Sequence, residues 1–264
     1  MILQAKDISV SYDGKQALCG VNIEVSQGDV VSIVGPNGSG KSTMLKVLSR
    51  TLKPHGGVVL LDNKDIRDLK AKSIAQRLAV LPQVKMVPAD LSVEALVGYG
   101  RYPHLNFRNK MTKADYEIIH WAIEKTDLVH FRSRLVRTLS GGERQRAWIA
   151  MALAQKSDIL LLDEPTTFLD ISYQLEVLEL LKELNEELGL TIVMVLHDLN
   201  QAVRYSNKTY ALKDGVLYKY GNSSELLTKE LLKDVFRIEG EILTDGTNAC
   251  PYFIPQKVTK INKK

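Results

Sequence analysis

The sequence predicts an α/β fold with a largely parallel central sheet, an antiparallel β piece near its start and an inserted helical lobe. Three observations carry this expectation. Apolar runs of strand length recur, among them Val30-Val31-Ser32-Ile33-Val34 and Ile192-Val193-Met194-Val195-Leu196, and helical periods separate them. That is the pattern of strands covered on both faces by crossover helices. The turn signals Asp13-Gly14 and Asp214-Gly215 sit between strand-like stretches, as hairpins require. From about Val84 to Ala154 strand signals vanish and helical periods dominate.

In chain order, Ile2 to Tyr12 and Ala17 to Val25 read as strands around Asp13-Gly14. Gln27-Gly28-Asp29 turns into the apolar strand Val30 to Val34. Gly35 to Gly40 is loop, and Lys41 to Ser49 reads as helix. His55-Gly56-Gly57 turns into Val58 to Leu61, and Leu78 to Leu81 is a short strand stopped by Pro82. The helical stretch includes Lys113 to Thr126 and Glu143 to Ala154. Strands return at Ile159 to Leu162 and Thr191 to Leu196, with the helix Tyr173 to Glu187 between them. Lys208 to Lys213 and Val216 to Tyr220 form a late hairpin. Beyond Ile238, Asp245-Gly246 marks a turn and Pro251 and Pro255 act as breakers, consistent with a small hairpin packed on the core. The expected division is a core of residues 1–83 and 155–237, a helical lobe of 84–154 and a C-terminal extension of 238–264, all within one domain.

Composition narrows the class. At 264 residues, 45% hydrophobic and 25% charged, the chain can bury a full core with ordinary globular values. The start Met1-Ile2-Leu3-Gln4-Ala5-Lys6 has no basic region followed by an apolar run, so no secretory leader is expected. A spanning helix needs about 20 apolar residues, and no run approaches that. Any membrane link is therefore expected to come through a partner. The net charge of +4 comes from the tail: Lys257, Lys260, Lys263 and Lys264 lie in the last eight residues, and the rest balances at 31 basic against 31 acidic. This argues against a nucleic-acid-binding face. Cys19 and Cys250 lie far apart without a C-x-x-C, as for two reduced thiols.

The motifs carry the chemistry. Gly35-Pro36-Asn37-Gly38-Ser39-Gly40-Lys41-Ser42 fits G-x-x-x-x-G-K-[ST], with Thr43 next, between an apolar strand and a helix. Glycines let backbone N–H groups face phosphates, and the helix N-terminus adds its dipole. Lys41 is expected to reach the β- and γ-phosphates of a nucleotide, and the Ser42 hydroxyl to bind Mg²⁺. A plain Gly-rich turn is the competing reading, and the full motif in this context argues against it. The strand Ile159 to Leu162 ends in Asp163-Glu164. Asp163 is placed to help hold Mg²⁺, and Glu164 to polarise an attacking water as general base. Between these motifs stands Leu139-Ser140-Gly141-Gly142-Glu143-Arg144-Gln145-Arg146. Locally, Ser140 and Glu143 have the spacing of a capping box. A second anion site at a helix N-terminus is the other reading, and the two are compatible.

With this set, about Ile2 to Phe236 resembles the ATP-binding subunits of ABC transporters. The resemblance implies ATP as ligand, Mg²⁺ as cofactor and hydrolysis coupled to transport. It implies that Tyr12 stacks on adenine, although a strand-end tyrosine would otherwise read as core or surface. Gln83 matches the glutamine that contacts Mg²⁺ or water and links the lobes. Asp170 matches the loop that meets the opposing subunit, and His197 the switch histidine near the γ-phosphate. Ser140, Gly141 and Gly142 would then contact ATP held by a second copy, so that a homodimer sandwiches two nucleotides. His55, His104, His120 and His130 keep structural readings, and Trp148 reads as packed against the lobe.

Several stretches look closest to the importers of iron chelates, haem and cobalamin: Leu91-Ser92-Val93 through Gly98-Tyr99-Gly100-Arg101-Tyr102-Pro103-His104, Arg146 to Gln155, Thr166-Thr167-Phe168-Leu169-Asp170, and His197 to Ala202. A ferric siderophore ranks first as cargo, with haem and cobalamin behind. The implied partners are membrane permease subunits and, through them, an extracytoplasmic substrate-binding protein, with the chain at the cytoplasmic face of the membrane. The other class considered is a non-transport ABC ATPase acting on ribosomes or DNA, which usually has two ATPase modules or a long coiled coil. An exporter half is a third, and it normally carries fused spans.

Overall fold

The computed structural model describes residues 1–83, 90–105 and 110–259. It divides into two compact units: residues 1–68 with 193–264, and residues 69–192.

The first unit begins with the hairpin of β1 (Leu3–Tyr12) and β2 (Lys15–Val25), paired antiparallel from Leu3↔Val25 to Tyr12↔Lys15. Asp13 and Gly14 both take positive φ at its turn, the geometry that matches strand twist in two-residue loops. The inward set Leu3, Ala5, Ile8, Val10, Leu18, Val21, Ile23 and Val25 is buried, and charged residues alternate outward. β3 (Val30–Val34) is buried at all five positions, as a strand covered on both faces must be. α1 (Lys41–Leu48) follows, then β4 (Gly56–Leu61), antiparallel to β1, and the short β5 (Lys64–Asp65), which extends that sheet.

The second unit opens with α2 (Ala71–Arg77) and β6 (Leu78–Leu81). α3 (Val93–Gly98) runs into a 3₁₀ turn at Tyr99–His104, and α4 (Lys113–Lys125) and α5 (Gly141–Ala154) complete a helical cluster. A buried ion pair fastens it. Arg101 Nε donates to Asp115 Oδ1 at 2.9 Å, and Arg101 Nη1 to the Ala154 carbonyl at 2.7 Å. Burial pushes the Asp115 carboxyl up, yet it lies at about 2 because the Thr112 amide and hydroxyl and the Arg101 guanidinium all stabilise its charge. β7 (Ile159–Asp163) is fully buried and pairs parallel with β6, Leu78↔Ile159 to Leu81↔Leu162. α6 (Ile171–Leu188) buries Val177, Leu178, Leu181 and Leu184, one face at helical spacing, and ends at Gly189 in the left-handed region. β8 (Thr191–Val195), again wholly buried, carries the chain across the boundary between the units.

Back in the first unit, α7 (Leu199–Tyr205) leads to β9 (Lys208–Lys213), which pairs parallel with β3, Val31↔Lys208 to Val34↔Ala211. β10 (Val216–Asn222) returns antiparallel to β9. Tyr210 is buried, and its hydroxyl donates to the Glu24 carbonyl at 2.8 Å, tying β9 to β2. Desolvation raises that phenol to about 12. α8 (Ser223–Leu226) and α9 (Lys229–Asp234) precede the hairpin of β11 (Ile238–Thr244) and β12 (Pro251–Val258). The elements form an α/β fold with parallel pairs in both units and antiparallel strands in the first. Short β5, α2, α3, α8 and α9 had no separate sequence signal, being too brief for periodicity. No helix among the described residues is long and apolar enough to cross a membrane.

Candidate active site

The phosphate loop lies in the first unit, where β3 gives way to α1. Gly40 has φ 100°, and a Cβ there would stand 2.6 Å from the Ala17 carbonyl and the Leu18 side chain. Only glycine permits that approach at that φ. Lys41 is buried, and its ammonium donates to the carbonyls of Gly35 at 2.8 Å and Pro36 at 3.0 Å. The Ser39 amide donates to the Pro36 carbonyl at 3.2 Å, and the Gly215 amide from the β9–β10 turn to the Ser39 carbonyl at 3.2 Å. The Ser39 hydroxyl is buried without a partner among the described residues. Ser42 and Thr43 occupy the first turn of α1. A tight backbone loop at a helix N-terminus, a held ammonium and a buried hydroxyl suit polyphosphate. Tyr12, at the end of β1, is well exposed, as a stacking surface requires. His197 follows β8 and is exposed.

The second unit holds the acids. Asp163 ends β7, one residue beyond the strand limit read from sequence, and is buried. Glu164 leaves the strand with φ 52°, a left-handed conformation uncommon outside glycine and the Asx residues. Gln83 Nε2 donates to Glu164 Oε2 at 2.5 Å, and Thr167 Oγ1 donates to the same oxygen at 3.0 Å. The amide and hydroxyl thus fix the carboxylate from two sides. Thr167 was not singled out from sequence. Its signal was the three-residue spacing from Glu164, over which a turn brings the hydroxyl back.

The segment Leu139 to Arg146 is built as a helix start. The Ser140 hydroxyl accepts from the Glu143 amide at 3.3 Å, and the Glu143 carboxylate accepts from the Ser140 amide at 2.7 Å. This is a complete capping box at the head of α5. A Cβ on Gly142 would meet Tyr173 Cδ1 of α6 at 2.3 Å, so the first turn of α5 lies against α6 only because this position is glycine. Asp170 is the N-cap residue of α6. Beside it Phe168 has φ 65° and is 95% exposed, and Ile171 is 77% exposed.

The remaining histidines sit in local networks. His55 Nδ1 accepts from the Ser11 amide at 3.2 Å, His104 Nε2 contacts the Gln155 carbonyl at 2.7 Å, and His120 lies 3.0 Å from Glu94. His130 lies in a 3₁₀ turn. Among the described residues no group of three or more His, Cys, Asp or Glu side chains could hold a metal ion. Trp148 is half-buried in α5. Both cysteines are free thiols.

Comparison with known proteins gives the family. The family model described as ABC transporter matches residues 18–167. The petrobactin import ATP-binding protein FpuC of Bacillus anthracis is 49% identical over 91% of this chain and 88% of its own length. The iron(3+)-hydroxamate import ATP-binding protein FhuC of Bacillus subtilis is 44% identical over 99% of this chain and 97% of its own. Among solved structures, one described as an inward-facing metal-chelate type ABC transporter superposes with a TM-score of 0.84 at 30% identity, covering 97% of each chain. A dimeric post-hydrolysis state of the cassette MJ0796 bound to ADP and phosphate superposes at 0.73 with 32% identity, over 84% of this chain and 98% of that one. The chain belongs to the ABC transporter family. Within it, this is an ATP-binding transport ATPase related to the subunits that serve iron–siderophore importers.

Proposed function

We propose that this chain powers uptake of a ferric siderophore across a membrane, working as a homodimer docked at the cytoplasmic face on separate permease subunits. The observation that carries the reading is full-length similarity to import ATP-binding proteins for petrobactin and hydroxamate iron chelates. The lack of a spanning helix among the described residues fits a permease supplied by other chains. A substrate-binding protein outside the membrane would deliver the chelate to that permease. Haem and cobalamin are the competing cargoes.

In this reading Gly35 to Thr43 hold the triphosphate, with Lys41 as counter-charge to the β- and γ-phosphates. Tyr12 stacks on the adenine. Ser42, Gln83 and Asp163 are the side chains that would hold Mg²⁺, which neutralises developing phosphate charge when bound. Glu164 accepts a proton from the attacking water, so that ATP and water give ADP and inorganic phosphate. His197 contacts the γ-phosphate. Ser140, Gly141 and Gly142 offer N–H groups and a hydroxyl to the γ-phosphate of the partner copy, and Asp170 meets the partner's surface. A phosphate gripped by both copies binds the closed dimer better than the open one, and its loss favours opening.

The test uses Glu164→Gln. It keeps the shape and the hydrogen bonds but removes the base. ATP binding should persist, turnover should fall by about 10²- to 10⁴-fold, and a stable ATP-bound dimer should appear on gel filtration. Native turnover would remove Glu164 as base. Cargo is read separately: deletion of the gene should abolish growth on a ferric siderophore as sole iron source and spare growth on haem.

A further inference from the structure

The C-terminal hairpin makes a specific contact with α7, the helix that begins just after His197. The Asn200 side chain donates to the Phe253 carbonyl at 3.1 Å and accepts from the Phe253 amide at 2.9 Å. Both halves of one amide are thus spent on one residue of β12. Such a two-point grip fixes orientation as well as distance. Asn200 is the second residue of α7, whose N-cap Asp198 accepts from the Gln201 amide at 3.0 Å. His197 immediately precedes that cap. On its other side the Leu196 amide donates to the Ile33 carbonyl of β3 at 3.2 Å. His197 therefore spans two anchored points, one on β3 and one on the terminal hairpin.

The hairpin is firm enough to serve as an anchor. β11 and β12 pair from Ile238↔Val258 to Thr244↔Pro251. The Asp245 side chain accepts from the Thr247 amide and the Asn248 amide group, each at 3.0 Å, closing the tip. The Thr259 amide donates to the Arg237 carbonyl at 2.8 Å, closing the base.

We propose that the β11–β12 hairpin is a positioning element for His197 and that Asn200 is the residue through which it acts. The proposal rests on the reading of His197 as the γ-phosphate contact. A misplacement of about 1 Å at a catalytic group can cost up to about 100-fold in rate, so a grip two residues beyond the cap has leverage on turnover without touching nucleotide.

The experiment measures steady-state ATP hydrolysis by the purified full-length chain as wild type, Asn200→Ala, His197→Ala and the double variant. Asn200→Ala should lower kcat about tenfold, with KM for ATP within about twofold of wild type. In the His197→Ala background the same substitution should change kcat by less than about twofold, because the two act in series. Should Asn200→Ala fold poorly, Asn200→Asp serves in the same cycle. It keeps the side-chain size and the acceptor for the Phe253 amide, and replaces the donor with a carboxylate oxygen set against the Phe253 carbonyl. Equal losses in both backgrounds, or native kcat in Asn200→Ala, would overturn the proposal. Native kcat in His197→Ala alone would instead remove the histidine reading on which it stands.

Discussion

Gln83 and Glu164 are joined by a 2.5 Å hydrogen bond in which the amide donates to the carboxylate. They are 81 residues apart in sequence, and the parallel pairing of β6 with β7 brings the ends of their strands side by side. Gln83→Leu keeps a similar side-chain size and removes the amide that holds Glu164 from one side. A misplacement of about 1 Å at a catalytic group can cost up to about 100-fold in rate. Steady-state kcat for ATP hydrolysis should therefore fall by about 10- to 100-fold. A native kcat in Gln83→Leu would mean that the contact is absent during turnover.

Gly142 is sterically committed. Gly142→Ala places a methyl inside the Tyr173 ring contour, and relieving such overpacking costs about 1–3 kcal/mol through movement of α5 or α6. ATP hydrolysis should fall steeply while nucleotide binding, measured by a fluorescent analogue, stays near native. Adding Tyr173→Ala should restore part of the rate, since it clears the space.

Phe168 presents a nearly fully exposed ring in a left-handed backbone conformation. Little is lost from the isolated chain when an exposed side chain changes, within about 0.5 kcal/mol. Phe168→Ser should therefore leave the melting temperature unmoved. If the ring is buried between copies, the ATP-trapped dimer of Glu164→Gln should weaken when the two substitutions are combined. Sedimentation velocity reads both species directly.

The Arg101–Asp115 pair predicts an acid sensitivity. The Asp115 carboxyl lies at about 2 in the folded chain, below an unfolded value of about 3.9. Its stabilisation is therefore complete above about pH 4 and disappears as pH falls through about 2. Asp115→Asn leaves the buried guanidinium unpaired and should destabilise the second unit by about 3–5 kcal/mol at neutral pH. Urea unfolding at pH 7 and pH 3 should show a smaller gap between variant and wild type at the lower pH.

Much of the fold was legible because its strands are unusual stretches. Ile159 to Leu162 is apolar throughout and Val30 to Val34 is apolar but for Ser32, and both are buried throughout. The hairpin turns were legible from Asp-Gly pairs, Asp245-Gly246 of the terminal hairpin among them, whereas Pro251 and Pro255, read as breakers, lie within β12 and are paired with β11. The phosphate loop, the acidic pair and the segment Leu139 to Arg146 could be picked out because each is contiguous. What sequence could not reveal is contact between distant side chains. Thr167 against Glu164, Tyr173 against Gly142 and Asn200 against Phe253 all depend on how elements pack, and no local spacing announces the last two. α6 starts at Ile171 rather than Tyr173, with Asp170 at its N-cap position.

The capping box of Ser140 and Glu143 has a thermodynamic consequence. A glycine pair left to itself would sample many backbone states, and freezing each residue costs roughly 1–2 kcal/mol. Here the reciprocal bonds have already frozen that stretch within a single chain. The assembly around nucleotide proposed above would bear little ordering entropy at this segment. Its heat signature should consequently be dominated by contacts formed rather than by disorder removed.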